Sequence, residues 1–308
     1  MDRVFVIAGP TASGKTALGI ELALLLGGEI VSADSMQIYK GMDIGTAKAG
    51  PEEQRGVVHR MLDVAQPQEN YSVARYVDAA SRCCDDILKA GKFPIIVGGT
   101  GLYIDSLLSG REFAESEAPE LRAELSEQYD TLGGDAMLER LRAVDPERAA
   151  LLSPNDRKRI IRALEIYELT GSSATEHDAY TRSLPPRYSA SRIVLGYRDR
   201  ERLYSAINSR VDRMISAGLV DEVSALLSAG VSSDCTSMQA IGYKEIASYL
   251  RGELTEEEAV ELIKLRSRRY AKRQITWFGR WEDAIRIDWE ETPDIPYALS
   301  LLKEKGVF

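Results

Sequence analysis

A short apolar run, RVFVIA at Arg3–Ala8, begins the regular pattern of the chain and predicts a strand. Lys15–Leu26 reads as a helix that stops at Gly27-Gly28, a pair suited to a C-cap. Glu29–Ser32 predicts a second short strand, followed by a polar loop broken by Gly41 and Gly45. Met61–Val64 is the next strand expected. A helix opens at Tyr71-Ser72, with Ser72 as its candidate N-cap, and runs to Ala90-Gly91. Phe93–Val97 (FPIIV) is apolar throughout, as a strand covered on both faces should be, and it runs into Gly98-Gly99-Thr100-Gly101. This alternation predicts a parallel sheet with helices on both faces.

The alternation then breaks. Residues 113–189 show helical periodicity and turns only, at Gly133-Gly134, Asp145-Pro146, Ser153-Pro154, Gly171 and Pro185-Pro186. They read as a helical insertion, which divides the chain into a core of 1–112 with 190–308 and an inserted domain of 113–189. Arg192–Tyr197 returns to the sheet. Helices are expected at 199–217, 219–229, 239–251 and 255–278, and a last strand at Ala284–Ile287. No repeat or low-complexity tract appears.

Composition fits this division. A chain of 308 residues suggests about two domains, and 44% hydrophobic with 28% charged residues excludes a disordered or fibrous chain. No stretch approaches the roughly 18 apolar residues of a membrane-spanning helix. The opening MDRVFVIAGP lacks the long apolar segment of a signal peptide, so none is expected. Three cysteines (Cys83, Cys84, Cys235) give no disulfide framework and suit a reducing cytoplasm. Two histidines (His59, His177) and no cysteine cluster make a zinc site improbable.

A net charge of −9 argues at first against nucleic acid. Its distribution changes that. Glu112–Glu147 holds eleven acids and three arginines, nearly the whole excess. Leu265–Trp281 carries Arg266, Arg268, Arg269, Lys272, Arg273 and Arg280 with no acid, and Arg157, Lys158, Arg159 and Arg162 face only Asp156. The chain is acidic with local basic patches, and patches decide polyanion binding.

The sharpest chemical signal is Gly9-Pro10-Thr11-Ala12-Ser13-Gly14-Lys15-Thr16, which fits G-x-x-x-x-G-K-[ST] with a strand before it and a helix after. Glycines let backbone N–H groups turn inward around a diphosphate, and the helix N-terminus adds positive potential. Lys15 offers a cation to the terminal phosphate, and the Thr16 hydroxyl can ligate Mg²⁺. The usual hydrolysis apparatus is not evident: FPIIVGG ends in glycine, and the one strand ending in an acid is EIVSAD, at Asp34. A transferase with a diphosphate leaving group fits as well as a kinase.

Further segments point to a family: SADSMQIYKGMDIGTAK at 32–48, GGTGLY at 98–103, NDRKRIIRALE at 155–165, QAIGYKE at 239–245 and RQITWF at 273–278. With GPTASGKT at 9–16 they resemble, in family order, the tRNA dimethylallyltransferases, the bacterial tRNA isopentenyltransferases. One departure is His59-Arg60, where the family pattern carries two histidines. The resemblance implies an α/β fold, a P-loop nucleotide-kinase-like parallel-sheet core with a helical insertion that grips the tRNA anticodon stem-loop. It implies transfer of a dimethylallyl group from dimethylallyl diphosphate to the exocyclic amine of adenosine 37, in tRNAs reading codons that begin with U. Mg²⁺ is the implied cofactor, and a cytoplasmic monomer with no membrane contact the expected state.

The resemblance assigns Asp34 as general base, which would restore nucleophilicity to an amine whose lone pair is delocalised. A turn-capping Asp or an indirect Mg²⁺ ligand are the alternatives. Thr100 would donate to the oxygen linking the allylic carbon to the diphosphate; the alternative is an N-cap of the helix that follows. Arg210 matches a family arginine on the diphosphate, against a solvated helix face. Thr11, Ala12 and Ser13 would meet the diphosphate through backbone groups. Ser35, Met36 and Gln37 would approach the flipped adenosine, against a polar turn. Arg157, Lys158, Arg159, Ile160 and Ile161 match the family's tRNA-contact segment, against an ordinary charged helix face. Arg273 lies in the basic stretch at 266–281, where Tyr270, Trp277, Phe278 and Trp281 either stack on RNA or pack in the core.

Overall fold

The computed structural model describes residues 3–110 and 118–308, and the chain divides into two compact units, Met1–Leu108 with Tyr188–Phe308, and Ser109–Arg187. The expected boundary at 112/113 lies outside the described residues, as do Glu112, Glu115 and Glu117 of the acidic stretch.

The strands are β1 (Arg3–Ala8), β2 (Glu29–Ser32), β3 (His59–Arg60), β4 (Pro94–Gly98), β5 (Ser189–Tyr197) and β6 (Ile285–Trp289). The helices before the second unit are α1 (Lys15–Leu26), α2 (Pro51–Gln54), α3 (Val73–Lys89) and α4 (Gly101–Leu108). Within it come α5 (Pro119–Leu132), α6 (Gly134–Val144), α7 (Pro146–Ala150), α8 (Arg157–Thr170) and α9 (Ala174–Ser183). After it come α10 (Arg200–Ser216), α11 (Leu219–Ser228), α12 (Tyr243–Leu250), α13 (Glu256–Phe278) and α14 (Ile295–Glu304).

The first unit is built on one sheet in the order β3-β2-β4-β1-β5-β6, with every neighbouring pair parallel. Val4, Phe5, Val6, Ile7 and Ala8 are all buried, which is why β1 reads as a continuous apolar run rather than an alternating one. β2 and β4 lie to one side of β1, β5 and β6 to the other. Such a reversal of winding opens a crevice at the carboxyl ends of the strands. Ser72 caps α3 as expected, its hydroxyl accepting from Arg75 N at 3.2 Å.

Two expectations are corrected, and one element is added. The strand expected at Met61–Val64 lies at His59–Arg60, where His59 registers with Ile30. Met61 and Asp63 sit in the left-handed region (φ 64° and 56°), which ends the strand, and Lys48 holds the Asp63 carboxylate at 2.6 Å. The helix expected over 239–251 is a single turn at Ser237–Gln239 and then α12, because Gly242 breaks the run at φ 100°. A C-terminal helix absent from the sequence reading, α14, packs Ala298 and Leu302 into the same core as Trp289.

The second unit is a small helical core around Leu125, Met137, Leu141, Ile160 and Leu164. Its buried Glu165 takes Arg122 at 2.8 Å and Arg162 at 2.7 Å. Asp145 caps α7 and also accepts from the backbone N–H and hydroxyl of Thr175 at 2.9 and 2.7 Å. Asp130 pairs with Arg157, and Glu139 with Arg142. Asp145 of the acidic stretch is therefore internal, while Asp130 and Glu139 pair with arginines at the surface. Among the described residues no helix is long and apolar enough to cross a membrane.

Candidate active site

The glycine-rich turn 9–16 leaves the carboxyl end of β1 and enters α1. A Cβ at Gly9 (φ 147°) would lie 2.4 Å from the Leu195 carbonyl oxygen, so only glycine fits there. Ala12 (φ 63°) and Gly14 (φ 80°) are left-handed. The carbonyls of the turn are pinned from within and without: Ser13 Oγ donates to Pro10 O (2.8 Å), Tyr197 to Ala12 O (3.1 Å) and the Trp289 indole to Ser13 O (2.9 Å). No side chain caps α1 and no acid stands in its first turn. Uncapped amides at a helix start, with the neighbouring carbonyls turned away, suit an anion.

Lys15 bends back so that Nζ donates to Pro10 O at 2.6 Å. Burial, with Arg210 nearby, pulls its pKa down to about 7, against the opposing pull of Asp34. Arg210, on α10, donates to the Thr46 carbonyl at 3.3 Å. Burial lowers its pKa also, and Asp34 again opposes. Among the described residues neither cation forms an ion pair with a carboxylate, so both keep donors for an incoming anion.

Asp34 does cap the turn that follows it. Its Oδ1 accepts from Met36 N at 2.9 Å and Gln37 N at 3.4 Å. The same carboxylate lines a cavity of about 310 Å³ together with Lys15, Thr16, Ser35 and Arg210. Capping and exposure to the cavity thus coexist. The lining also carries hydrocarbon: Ile207, Val211 and Met214 of α10, with Ile241 and Ile263.

Thr100 occupies the N-cap position of α4, its carbonyl accepting from Ile104 N at 3.2 Å. Its side chain is turned away from that helix: Oγ1 accepts from Ser35 N at 3.1 Å. It stands directly behind the cavity lining rather than in it. Gln37 is held at both ends of its amide. Oε1 accepts from Ser32 Oγ (3.0 Å), and Nε2 donates to the carbonyls of Thr46 (3.3 Å) and Ala47 (3.4 Å).

α13 supplies lining residues that the sequence reading did not single out, Ile263, Ser267 and Gln274, beside Tyr270 and Arg273, which it did. Ile263, Ser267, Tyr270 and Gln274 recur at three- and four-residue spacing and face the cavity. The buried Gln274 joins the two glycine turns: Oε1 accepts from Thr11 N at 2.9 Å, and Nε2 donates to Gly99 O at 3.0 Å. Tyr270 hydrogen-bonds Thr100 and Gln274, and burial pushes its phenol up to about 12, so it remains a proton donor. Arg273 lines the cavity mouth over the Tyr270 ring, 5.4 Å from its centroid. Phe278 and Trp281 are buried, and the Trp277 and Trp281 indoles both donate to Asp105, at 2.8 and 3.0 Å. The packing alternative holds for these aromatics.

The expected tRNA-contact segment lies in the second unit. Ile160 and Ile161 are 0% and 5% exposed within its core, so their side chains are corrected from contact residues to packing residues. Arg157 pairs with Asp130 at 2.7 Å and Arg159 with Asp156 at 3.6 Å, while Lys158 is exposed. Among the described residues no group of three or more His, Cys, Asp or Glu is gathered to hold a metal.

A family model described as IPP transferase matches residues 37–281, and one described as isopentenyl transferase matches residues 2–69. The tRNA dimethylallyltransferase of Thermoanaerobacter sp. (strain X514) is 50% identical over 282 residues, covering 91% of this chain and 90% of that protein. That of Acetivibrio thermocellus is 48% identical over 293 residues, covering 94% and 93%. The solved tRNA isopentenylpyrophosphate transferase of Staphylococcus epidermidis is similar over 99% of both chains, with a TM-score of 0.72 and 40% identity. A eukaryotic dimethylallyltransferase, described as acting on tRNA, gives a TM-score of 0.85 at 29% identity over 100% of this chain and 78% of its own. By these matches the chain belongs to the tRNA dimethylallyltransferase family, a family of prenyltransferase enzymes.

Proposed function

We propose that this protein transfers a dimethylallyl group from dimethylallyl diphosphate to the exocyclic amine of adenosine 37 of tRNA. The observation that carries this reading is the composition of this cavity: two cations that pair with no carboxylate among the described residues, a carboxylate, and a hydrocarbon surface. A diphosphate, an amine proton and a prenyl chain each find a matching surface there.

The diphosphate lies against the amides of the turn 9–16, with Lys15 and Arg210 supplying charge. The allylic chain rests on Ile207, Val211 and Met214. The adenosine leaves its stack, and its amine meets Asp34 while Gln37 lines its approach. Asp34 accepts the amine proton as the carbon–nitrogen bond forms. Thr100, expected to donate to the departing oxygen, stands behind the lining and acts there as a positioning residue, its hydroxyl bonded to Ser35 and Tyr270.

Thr16 lines the same cavity and offers its hydroxyl, leaving the Asp34 carboxylate free for the amine proton. That hydroxyl fits Mg²⁺, which keeps several waters and binds through few protein oxygens plus substrate phosphates. Bound there, the ion would neutralise charge on the leaving diphosphate. The second unit meets the anticodon stem-loop with Lys158 and Arg159, and Arg273 meets RNA at the cavity mouth.

The test is incubation with labelled dimethylallyl diphosphate and unmodified tRNA, then tRNA lacking adenosine at position 37. Label is expected in the first RNA and not in the second. Turnover of ATP without tRNA, and no label in RNA, would return the site to a kinase reading.

A further inference from the structure

Glu222, on α11, reaches across the first unit to the segment that follows Met42. Its Oε2 accepts from the backbone N–H of Asp43 (2.9 Å) and Ile44 (2.8 Å), and Oε1 from that of Gly45 (3.1 Å). Oε1 also accepts from the Tyr243 phenol at 2.5 Å. Three consecutive amides around one carboxylate make an anion nest filled by the protein itself. The Tyr243 ring closes it, since a Cβ at Gly45 would lie 2.4 Å from that ring. Burial and the Glu222 charge drive the Tyr243 pKa up, so the phenol stays a donor.

The clamped segment leads straight into Thr46 and Ala47, whose carbonyls face the cavity side. Thr46 O accepts from Arg210 and from Gln37 Nε2, and Ala47 O accepts from Gln37 Nε2. Thr46 is itself fixed, its hydroxyl donating to Met42 O at 2.6 Å. One short backbone piece thus orients both a cation at the leaving-group end and an amide at the nucleobase end. Glu222 touches neither substrate surface; it is absent from the cavity lining.

We propose that Glu222 is a positioning residue that sets Arg210, and through it the grip on the diphosphate, by holding the amides of residues 43–45. This rests on the reading of the cavity as a diphosphate site. Misplacement of a catalytic group by about 1 Å can cost on the order of 10²-fold in rate. Glu222→Gln keeps the shape but loses the charge and one acceptor, so a loss of roughly 10- to 10²-fold is expected.

The test is a double-mutant cycle on the full chain: wild type, E222Q, R210A and the pair. Two quantities are read, affinity for inorganic diphosphate and the single-turnover rate of prenyl transfer to tRNA. Amide exchange over residues 42–48 is followed in parallel. The expected result is faster exchange in E222Q, weaker diphosphate binding, and little further loss of diphosphate affinity when E222Q is added to R210A. Additive losses, or full diphosphate affinity in E222Q despite faster exchange, overturn the inference. A wild-type protein that ignores diphosphate would instead sink the reading of the cavity. If E222Q proves poorly folded by its tryptophan emission, Tyr243→Phe removes one bond of the same clamp and should give a smaller effect with the same non-additivity.

Discussion

The cavity of the first unit and helix α8 of the second both carry clustered positive charge, and they use it in opposite ways. In the cavity, Lys15 and Arg210 donate only to backbone carbonyls and are buried far enough for their pKa values to fall. In the helical unit, Arg122 and Arg162 close on Glu165, Arg157 on Asp130, Arg140 on Glu168 and Arg148 on Asp178. The first arrangement is costly until an anion arrives, because a buried cation wants a countercharge. The second is already neutralised and holds helices together. A charge available to a ligand is recognised by what fails to pair with it, not by its density along the chain.

The largest expected effect separates the reacting centre from everything that merely surrounds it. Asp34→Asn keeps the turn-capping acceptor but removes the proton acceptor. The chemical step should fall roughly 10²–10⁴-fold, the usual range for a lost general base, with tRNA affinity nearly intact. Single-turnover rates near wild type would show that Asp34 is only the cap of residues 36 and 37.

Next in size is loss of an unpaired cavity cation. Lys15→Ala removes one charge-assisted contact to the diphosphate, worth about 1.5–3 kcal/mol, so binding should weaken about 10- to 10²-fold. Isothermal titration with inorganic diphosphate measures it. Unchanged diphosphate affinity with weakened ATP binding would mean the donor is misidentified.

How much of this was readable beforehand follows from the same contrast. The turn 9–16 was legible because its geometry is imposed locally: Gly9 and Gly14 are required by backbone approach and left-handed φ. The strands β1 and β4 were legible because burial on both faces leaves a continuous apolar run. Gln274 and Glu222 were not, because each acts across 175 or more residues and neither type announces its partner. The run at 61–64 misled because Leu62 and Val64 look like strand residues, whereas the left-handed residues at 61 and 63 are set by tertiary contacts. Ile160 and Ile161 shared a motif with Arg157 and Lys158, and the motif could not say which of them faces inward. The comparison with known relatives supports the family; the burial of individual side chains comes from the packing.

The paired charges of the second unit should make it the more acid-sensitive to a single substitution. Glu165 is buried, and although burial alone would raise its pKa, hydrogen bonds from Arg122 and Arg162 hold it below the usual carboxylate range. A carboxylate depressed on folding adds stability above its unfolded pKa, about 4.3, and loses it as pH falls through the folded value. Glu165→Gln should therefore cost about 2 kcal/mol at neutral pH, and the gap to wild type should close in acid. All three tryptophans lie in the first unit, so their emission reports the other unit only indirectly. Amide exchange over α5 and α8 is the direct measure. A gap that stays constant from neutral pH to strong acid would mean the Glu165 charge contributes nothing.

The smallest effect concerns the charges of α8 that remain outside such pairs. tRNA binding should weaken with salt despite the net charge of −9, because each neutralised phosphate releases counterions. Lys158 is exposed, and among the described residues the exposed Arg159 has Asp156, at 3.6 Å, as its one ion-pair partner. Arg157 is tied to Asp130 and to the Ser126 carbonyl, at 2.7 and 3.2 Å. Neutralising Lys158 and Arg159 together should therefore flatten the salt slope by about one to two units, and adding Arg157 should flatten it little further. Diphosphate binding should not change in either variant, since its cavity is built wholly from the first unit. The measurement is tRNA affinity at several salt concentrations. Parallel slopes for wild type and the double variant would show that α8, like the rest of its unit, keeps its charges for itself.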